Sequence, residues 1–260
     1  MLEGKIALIT GSTSGIGLGI AKKLAESGCN IMLNGFGDID EIHKLQHIIQ
    51  EEYKVKVSYN AADMSKPEEI RNMIAQVTDE LGGVDILVNN AGIQFVSPIH
   101  EFPEDKWDAI LAINLSSAFH TMKSVIPIMR EKSYGRIINI ASAHGLVASP
   151  NKSAYVAAKH GIVGLTKAVA LENADLNITC NSICPGWVYT PLVKKQIEDK
   201  AEMHNISIEQ ATIELLSEKQ PSLKFVATEE IGEIVKFLIS NAARSITGTS
   251  ISVDGGWTAR

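Results

Sequence analysis

The sequence predicts a doubly wound α/β domain, in which helices cover both faces of a seven-stranded parallel sheet. Short apolar runs rich in β-branched residues alternate with longer helical patterns along the chain, as in consecutive strand–helix–strand units. Several of these runs are apolar without alternation, which is typical of strands buried on both faces. Residues 1–260 contain no internal repeat and no Pro/Gly-rich linker, so we expect a single domain.

Seven apolar runs are predicted as strands. They are residues 5–10, 30–34, 55–59, 84–89, 135–142, 178–184 and 249–254. Helical patterns occupy the connections, at 15–27, 38–53, 67–81, 104–131, 153–174 and 228–240. Their lengths fit right-handed crossovers to both faces of the sheet.

Residues 186–225 interrupt this alternation, because the segment is too long for an ordinary connection and carries helical patterns of its own. Its apolar positions are Leu192, Val193, Ile197, Ile213, Leu215 and Leu216. An insertion of this kind beside a ligand cleft predicts a helical substrate lid. The alternative is a pair of packed surface helices without a gating role, and loop length alone does not separate the two.

Composition excludes several classes of function. The chain has 24 Lys+Arg against 30 Asp+Glu, a net charge of −6, and no basic run, so nucleic-acid binding is not expected. Cys29, Cys180 and Cys184 are too few and too scattered for a disulfide framework or a zinc site, so we predict reduced core cysteines and no metal. With neither a signal peptide nor a membrane-length apolar segment recognised, we expect a cytoplasmic protein that makes no membrane contact.

A glycine-rich turn follows the first predicted strand and opens the first helical pattern. Glycines at such a turn allow close backbone approach to a pyrophosphate, and the helix N-terminus offers unpaired N–H groups. A turn that binds nothing is the alternative, which the position between strand and helix disfavours. The predicted cofactor turn comprises Gly11, Thr13, Ser14, Gly15, Ile16 and Gly17.

The glycine spacing is Gly-x3-Gly-x-Gly, and four further motifs follow in order: Asn89-Asn90-Ala91-Gly92, Ser142, Tyr155-x3-Lys159 and Pro185-Gly186. With them the whole chain resembles the short-chain dehydrogenase/reductase family. The resemblance implies a Rossmann-type fold, a nicotinamide dinucleotide and oxidoreductase activity. It also implies cofactor contacts by Phe36, Asp63, Met64, Asn90, Ala91, Gly92, Tyr155, Lys159, Pro185, Gly186, Val188 and Thr190, with Asp63 at the adenine and Thr190 at the nicotinamide carboxamide.

The charge near the end of the second strand favours NAD over NADP. No Arg or Lys occurs between Asn34 and Lys44 to meet a 2′-phosphate. The family's usual acidic residue, which contacts the ribose hydroxyls of NAD, would fall at Gly35. This chain therefore departs from the family pattern, and Asp38 lies further along the chain than that position. For Asp63 an alternative also stays open, since it could simply cap the helix that begins near Pro67.

Tyr155 and Lys159 lie four residues apart in a helical pattern, so their side chains share one face. A nearby ammonium and a nicotinamide cation are expected to lower the pKa of Tyr155, which then accepts an alcohol proton. Ser142 is placed to hydrogen-bond the substrate oxygen. The resemblance further implies that Lys159 holds the nicotinamide ribose and that Asn114 anchors a water chain.

The substrate residues come from positions that the family places around the substrate: Gln94, Ser142, His144, Lys152, Tyr155, Trp187, Gln196 and Trp257. A cation and polar donors converging on one pocket suit a small carboxylate. The alternative for Lys152 and Gln196 is a solvated surface position, and for both tryptophans ordinary packing.

Within the family, the segments around these residues resemble the members that act on 3-hydroxybutyrate, which implies reversible, NAD-dependent oxidation of (R)-3-hydroxybutyrate to acetoacetate. Rival activities are a 3-oxoacyl thioester reductase using NADPH, another short-chain alcohol dehydrogenase, and a nucleotide-binding protein without turnover. The helical pattern at 153–171 is apolar nearly all round, which predicts a subunit contact, and the resemblance implies a homotetramer.

Overall fold

The computed structural model describes residues 2–259. Its strands are β1 (Ile6–Ile9), β2 (Asn30–Asn34), β3 (Val57–Asn60), β4 (Ile86–Asn89), β5 (Gly135–Ile140), β6 (Ile178–Pro185) and β7 (Ser250–Val253). They form one parallel sheet of seven strands in the order β3-β2-β1-β4-β5-β6-β7. The order reverses between β1 and β4, and ligands of such sheets bind at this point, beyond the carboxyl ends of the strands.

The helices are α1 (Gly15–Glu26), α2 (Ile39–Tyr53), α3 (Pro67–Leu81), α4 (Glu104–Leu111), α5 (Ser117–Glu131), α6 (Ser153–Glu172), α7 (Pro191–His204), α8 (Ile208–Lys219) and α9 (Thr228–Ile239). The predicted fold class is confirmed. The helical pattern predicted at 104–131 is confirmed, and a π-helical turn at Ala112–Ser116 joins α4 to α5 within it. Such turns insert one extra residue into the helical ladder and often occur at functional sites.

Two apolar layers sandwich the sheet. Leu8 of β1 packs toward the layer formed with α3, α5 and α6, whereas Ala7 and Ile9 pack toward α1, α2 and α9. Successive side chains of a strand point to opposite faces, so burial on both faces requires every position to be apolar. This explains why the central strands contain apolar runs without alternation, such as Ile6–Ile9 and residues 86–88.

The segment Glu104–Glu131 is long and apolar enough to cross a membrane by length and composition alone, so the expectation that no segment of this length occurs is wrong. In the folded chain this segment comprises α4, the π-helical turn and α5, and it buries Ile110, Met122 and Val125 against the rest of the domain. The core helix of a globular protein has the same composition. Among residues 2–259 there is no group of three or more metal-ligating side chains.

The helical insertion, residues 186–225, contains α7 and α8 and has a small apolar core of its own, which includes Val193, Ile197 and Leu215. Its two ends meet at the buried side chain of Gln220. The Oε1 atom of Gln220 accepts a hydrogen bond from the Trp187 backbone N–H at 2.7 Å, and Nε2 donates to the Lys224 carbonyl. The insertion is therefore a closed unit that stands beside the carboxyl ends of β5 and β6.

Candidate active site

A cavity of about 430 Å³ opens at the carboxyl ends of the central strands. Of the residues predicted for the cofactor, the substrate and catalysis, all but Gly17 and Asn114 line it. Lining residues that the sequence did not assign to the cofactor, the substrate or catalysis are Asn34, Gly35, Ala62, Ile93, Ile113, Ile140, Ala141, Pro191, Leu192 and Val193. The fold thus brings side chains from distant parts of the chain to one cleft.

The turn between β1 and α1 forms a cradle for an anion. Gly11 and Gly15 have positive φ values of 62° and 56°, which favour glycine. Ser14 precedes α1 without capping it, and the first turn of the helix has no acidic residue. The N–H groups and the positive end of the helix dipole therefore remain available to a pyrophosphate.

Gly17 lies beneath this turn rather than in the cavity lining. A Cβ atom at Gly17 would collide with the carbonyl oxygen of Gly11 and would lie 2.5 Å from Asn90 Nδ2. That amide nitrogen donates to the carbonyls of Thr10 and Gly11, each at 2.9 Å. Gly17 is thus required for close packing of the helix on the turn.

The end of β2 differs from the family pattern for a steric reason. Gly35 has φ 149°, and a Cβ there would lie 2.6 Å from the hydroxyl oxygen of Thr13, so no acidic side chain fits at this position. Asp38 does not replace it, because its Oδ1 accepts from the Asp40 and Glu41 backbone N–H groups at 3.0 and 3.1 Å and caps α2. Phe36, 67% exposed, borders the cavity instead.

Asp63 lies in the cavity wall and does not cap α3, whose N-cap residue is Lys66. The alternative interpretation of Asp63 as a simple helix cap is therefore wrong. Its Oδ1 accepts hydrogen bonds from the backbone N–H and the hydroxyl of Ser65 at 2.9 and 2.7 Å. These two bonds lower the pKa of the Asp63 carboxyl, so the residue presents a fixed carboxylate to the cavity.

Ser142, Tyr155 and Lys159 meet where β5 ends and α6 begins. Lys159 Nζ donates to the Ile140 carbonyl at 2.7 Å and lies 5.6 Å from the centre of the Tyr155 ring. Burial lowers the pKa of Lys159 to about 8. Burial also raises the pKa of Tyr155, and a hydrogen bond with Ser142 opposes that rise. The expected lowering of the Tyr155 pKa by Lys159 is therefore wrong for the protein side chains alone, since desolvation dominates.

Asn114 lies in the π-helical turn, buried and outside the cavity lining. Its side-chain amide accepts from the Ile93 backbone N–H and donates to the Ile93 carbonyl, both at 2.9 Å. Both polar atoms of the side chain are thus engaged with the loop that follows β4. Asn114 fixes the stretch that carries Ile93 and the neighbouring Gln94, and the water chain expected from the resemblance stays a prediction.

The four residues predicted for a carboxylate, Gln94, His144, Lys152 and Gln196, all line the same cavity. Gln196 Nε2, on α7, lies 3.5 Å from Gln94 Oε1, and Lys152 Nζ lies 5.0 Å from the centre of the Trp187 ring. Lys152 and Gln196, for which the alternative was a solvated surface position, are both half-buried and line the cavity. Within the described chain, Gln94 Nε2 and Trp187 Nε1 are buried donors without a hydrogen-bond partner, and unpaired buried donors favour an anionic or carbonyl ligand.

His144 completes this set of residues. Its ring makes edge contacts with Tyr155 and Trp257, with centroid distances of 5.9 and 5.0 Å, and Trp187 stacks on Trp257 at 5.7 Å. Burial, with a contribution from the Lys152 charge, lowers the pKa of His144 to about 4. The imidazole is therefore neutral at pH 7.

The sequence matches the family described as short chain dehydrogenase over residues 5–201, most of its length. The chain belongs to this family. A short-chain dehydrogenase of Cupriavidus necator named D-beta-hydroxybutyrate dehydrogenase is 57% identical over 260 residues and covers all of both chains. A protein of the same name from Rhizobium meliloti is 57% identical over 256 residues, 98% of this chain and 99% of its own.

Solved short-chain dehydrogenases share the fold. The crystal structure of L-sorbose reductase from Gluconobacter frateurii, complexed with NADPH and L-sorbose, has a TM-score of 0.94 and 31% identity, and it covers 99% of this chain and 98% of its own. In this chain, as in the family, a nicotinamide dinucleotide is the cofactor. The glycine cradle, the free helix N-terminus and the walls at Asp63 and Phe36 fit such a group.

Some lining residues of this short-chain dehydrogenase carried no sequence signal. Ile140 and Ala141 are indistinguishable from the other apolar residues of β5 until the strand end is known. Asn34 is different, because a polar residue at the end of an apolar strand is a recognisable feature. Its Oδ1 accepts from the Gly11 N–H at 3.1 Å and its Nδ2 donates to the Ala62 carbonyl at 3.0 Å, so it joins three loops of the cofactor cleft.

Proposed function

We propose that this chain catalyses the reversible, NAD-dependent oxidation of (R)-3-hydroxybutyrate to acetoacetate. The convergence of Lys152 with the Gln94 and Gln196 amides beside Tyr155 carries the proposal, because a buried anion needs a cation and hydrogen-bond donors. Two relatives at 57% identity, both named D-beta-hydroxybutyrate dehydrogenase, support it. The presence of both Tyr155 and Lys159 argues against a nucleotide-binding protein without turnover.

In the proposed reaction Tyr155 acts as the general base. Its phenolic oxygen accepts the proton of the substrate's 3-hydroxyl, and Ser142 donates a hydrogen bond to the same substrate oxygen as it becomes a carbonyl. When bound, the nicotinamide accepts the hydride from C3. Lys159, held by the Ile140 carbonyl, is proposed to hold the nicotinamide ribose, and the reverse reaction returns the proton from the phenol.

The dinucleotide is assigned to the cleft between the β1–α1 turn and the insertion. Residues Gly11, Thr13, Ser14, Gly15 and Ile16 are proposed to surround the pyrophosphate. Asp63, Met64 and Phe36 would border the adenosine. The remaining assigned contacts are Asn90, Ala91, Gly92, Pro185, Gly186, Val188 and Thr190. Thr190 caps α7 by accepting from Val193 N–H at 3.4 Å, so its hydroxyl proton remains available for a carboxamide oxygen.

The helical insertion is proposed to act as a substrate lid. It carries Gln196 and Trp187 to the same cavity that Gln94 and Lys152 line from the body of the domain. The contact between Gln196 and Gln94 joins residues 102 positions apart, one on the insertion and one on the body of the domain. In this proposal, the movement of the insertion that closes the cavity therefore also completes the carboxylate site.

We expect Lys152→Met to reduce kcat/KM for (R)-3-hydroxybutyrate by about 100-fold, since a charged hydrogen bond contributes about 1.5–3 kcal/mol. Uncharged secondary alcohols should lose little, because they need no cation. Lys195→Met is the matched control: this lysine lies on α7, is 74% exposed and forms an ion pair with Asp199. Steady-state assays with both substrate classes measure the effect, and comparable wild-type turnover of neutral alcohols would refute the carboxylate specificity.

NAD is proposed as the cofactor over NADP. Around the end of β2 the charges are Asp38, Asp40 and Glu41, and Lys44 is paired with Glu41 at 2.6 Å, so no free cation meets a 2′-phosphate there. We expect kcat/KM for NAD to exceed that for NADP by about 100-fold, the loss expected from one missing charged contact. A wild-type preference for NADP would contradict this and favour the 3-oxoacyl reductase alternative.

A matched pair of variants tests the same charge argument. Phe36→Arg adds a cation at the cavity border, so it should narrow the preference for NAD by about tenfold. Ile48→Arg adds the same charge on α2 outside the cavity lining, where Ile48 is 53% exposed, and should leave the ratio unchanged. Steady-state measurements with both cofactors give the two ratios. Equal shifts in both variants would mean that long-range charge, not a local contact, governs the choice.

A homotetramer in a reducing, cytoplasmic compartment completes the proposal. One side of α6 is buried by the sheet, whereas Ala157, Ala168 and Leu171 on the other side remain exposed, and Leu171 is 79% exposed. An apolar second face of this kind favours association, which sedimentation equilibrium measures directly. The three buried thiols, Cys29, Cys180 and Cys184, are unpaired, in keeping with that compartment.

A further inference from the structure

Ser149 holds the ring of His144 from outside the cavity. Its Oγ lies 2.9 Å from His144 Nε2, and Ser149 itself does not line the cavity. The other ring nitrogen, Nδ1, has no hydrogen-bond partner within residues 2–259. It is also not one of the fully buried polar atoms that lack a partner, so it is accessible to solvent. Since His144 lines the cavity, Nδ1 is the nitrogen that is open to a bound ligand.

The imidazole cannot offer donors on both sides. Burial keeps His144 neutral at pH 7 because it lowers the pKa to about 4, and a neutral imidazole carries one N–H and one lone pair. The ring is also confined, because Tyr155 and Trp257 contact it on two sides and its backbone N–H donates to Ser142 Oγ at 3.1 Å. The partner of Nε2 therefore determines what Nδ1 presents to the ligand.

We propose that Ser149 is a positioning residue for substrate recognition: its hydroxyl donates to His144 Nε2 and so holds the tautomer in which Nδ1–H points at the substrate carboxylate. The opposite tautomer would direct a lone pair at an anion. Ser149 makes no other hydrogen bond in the described part of the chain, so its O–H is free for this donation. The carboxylate part of this inference rests on the proposed function.

The same short loop also sets Lys152. Asn151 has a left-handed backbone with φ 64°, and its carbonyl accepts from the Ser97 N–H at 2.9 Å. This bond ties the loop of residues 149–152 to the segment that follows Gln94. Two donors for the carboxylate, the Lys152 ammonium and the His144 Nδ1–H, are thus positioned by one loop.

Steady-state kinetics separate this role from a merely structural one. Ser149→Ala should raise KM for (R)-3-hydroxybutyrate about tenfold, the effect of one neutral hydrogen bond, with kcat and the KM for NAD within about twofold. Ser149→Thr, which keeps the hydroxyl, should restore KM to within about threefold of wild type. Ser97→Ala is the matched control, because within the described residues the Ser97 hydroxyl hydrogen-bonds to the Pro98 carbonyl alone. An unchanged KM in Ser149→Ala would overturn the proposal.

The tautomer itself is measured by 15N NMR of the full-length protein labelled at histidine, with His144→Gln to assign the resonance. In the wild type we expect a protonated Nδ1 and an unprotonated Nε2, both without ligand and with acetoacetate bound, and loss of this pattern in Ser149→Ala. A protonated Nε2, or a doubly protonated ring in the complex, would overturn the proposal. Because the spectrum without ligand needs no turnover, failure of the proposed substrate and failure of the tautomer assignment are distinguishable.

Discussion

Replacing Tyr155 with phenylalanine is expected to lower kcat for (R)-3-hydroxybutyrate oxidation by about 10³-fold, within the range that general acid–base groups contribute. The variant removes the oxygen proposed to accept the substrate proton and leaves the ring packed against His144. Because Ser142 is the one hydrogen-bond partner of that oxygen among residues 2–259, the fold and dinucleotide affinity should change little. Stopped-flow turnover and tryptophan fluorescence on adding NAD measure the two quantities separately.

Tyr189→Phe provides the matched control, since this tyrosine is 55% exposed and packs on Phe225 away from the cavity. It should retain turnover within about twofold, as expected for an exposed substitution. A Tyr155→Phe variant that keeps turnover within a few-fold of wild type would show that another group carries the proton.

The pH dependence of the wild type follows from the same residue. Burial raises the pKa of Tyr155, so the phenolate needed for oxidation forms only as the pH increases, and the oxidation rate should rise into the alkaline range. Reduction of acetoacetate uses the protonated phenol, so its rate should hold at neutral pH and fall at alkaline pH. Both dependences should be absent from the residual activity of Tyr155→Phe.

The sequence was sufficient for the fold because the central strands contain runs that are apolar on both faces, such as Ile6–Ile9 and residues 86–88, a pattern typical of burial on both faces. The π-helical turn at Ala112–Ser116 was not predictable, because the apolar periodicity around Ile110 and Met122 stays helical whether or not one extra residue is inserted. That turn determines where the Asn114 amide goes. The apolar periodicity of a helix indicates which residues face the core only approximately. The direction of one site side chain, such as that of Asn114, depends on the local backbone geometry.

The same limit applies to cofactor choice and to the substrate pocket. The absence of an acidic residue at Gly35 was visible in the sequence, but its cause, the approach of the Thr13 hydroxyl, requires the fold. Ser149 carried no motif, and its contact with His144 depends on how the loop after β5 turns back. Motif spacing identified residues that face ligands, whereas residues that position them through a second side chain were missed.

Lys159→Met is expected to abolish most activity while making the protein more stable. The buried ammonium has a pKa lowered to about 8 from 10.5, so folding at neutral pH includes the cost of burying a charge. Methionine has similar length and no charge, so the substitution removes the cost of burying the ammonium. Against this gain stands the loss of the hydrogen bond to the Ile140 carbonyl. We expect a net gain of about 1–3 kcal/mol in the free energy of unfolding. Urea denaturation without dinucleotide measures this.

The sign of the pH dependence separates this cause from improved packing. Between pH 8 and 10.5 the folded wild type has released the Lys159 proton whereas the unfolded chain still holds it, so wild-type stability rises with pH across this window. The advantage of Lys159→Met should therefore be greatest below pH 8 and shrink toward pH 10.5. A pH-independent difference would indicate packing, and a variant less stable than the wild type at neutral pH would contradict the burial cost.

Lys167→Met is the control for the loss of charge, since Lys167 is exposed on the same helix and its replacement should change stability by less than about 0.5 kcal/mol. Loss of turnover in Lys159→Met, by about 10²-fold or more, is expected because the contact proposed between Lys159 and the nicotinamide ribose is lost. The combination of higher stability and lower activity is the signature of a strained functional site. Such a result would mean that the chain keeps a destabilising cation at this position for the proposed reaction.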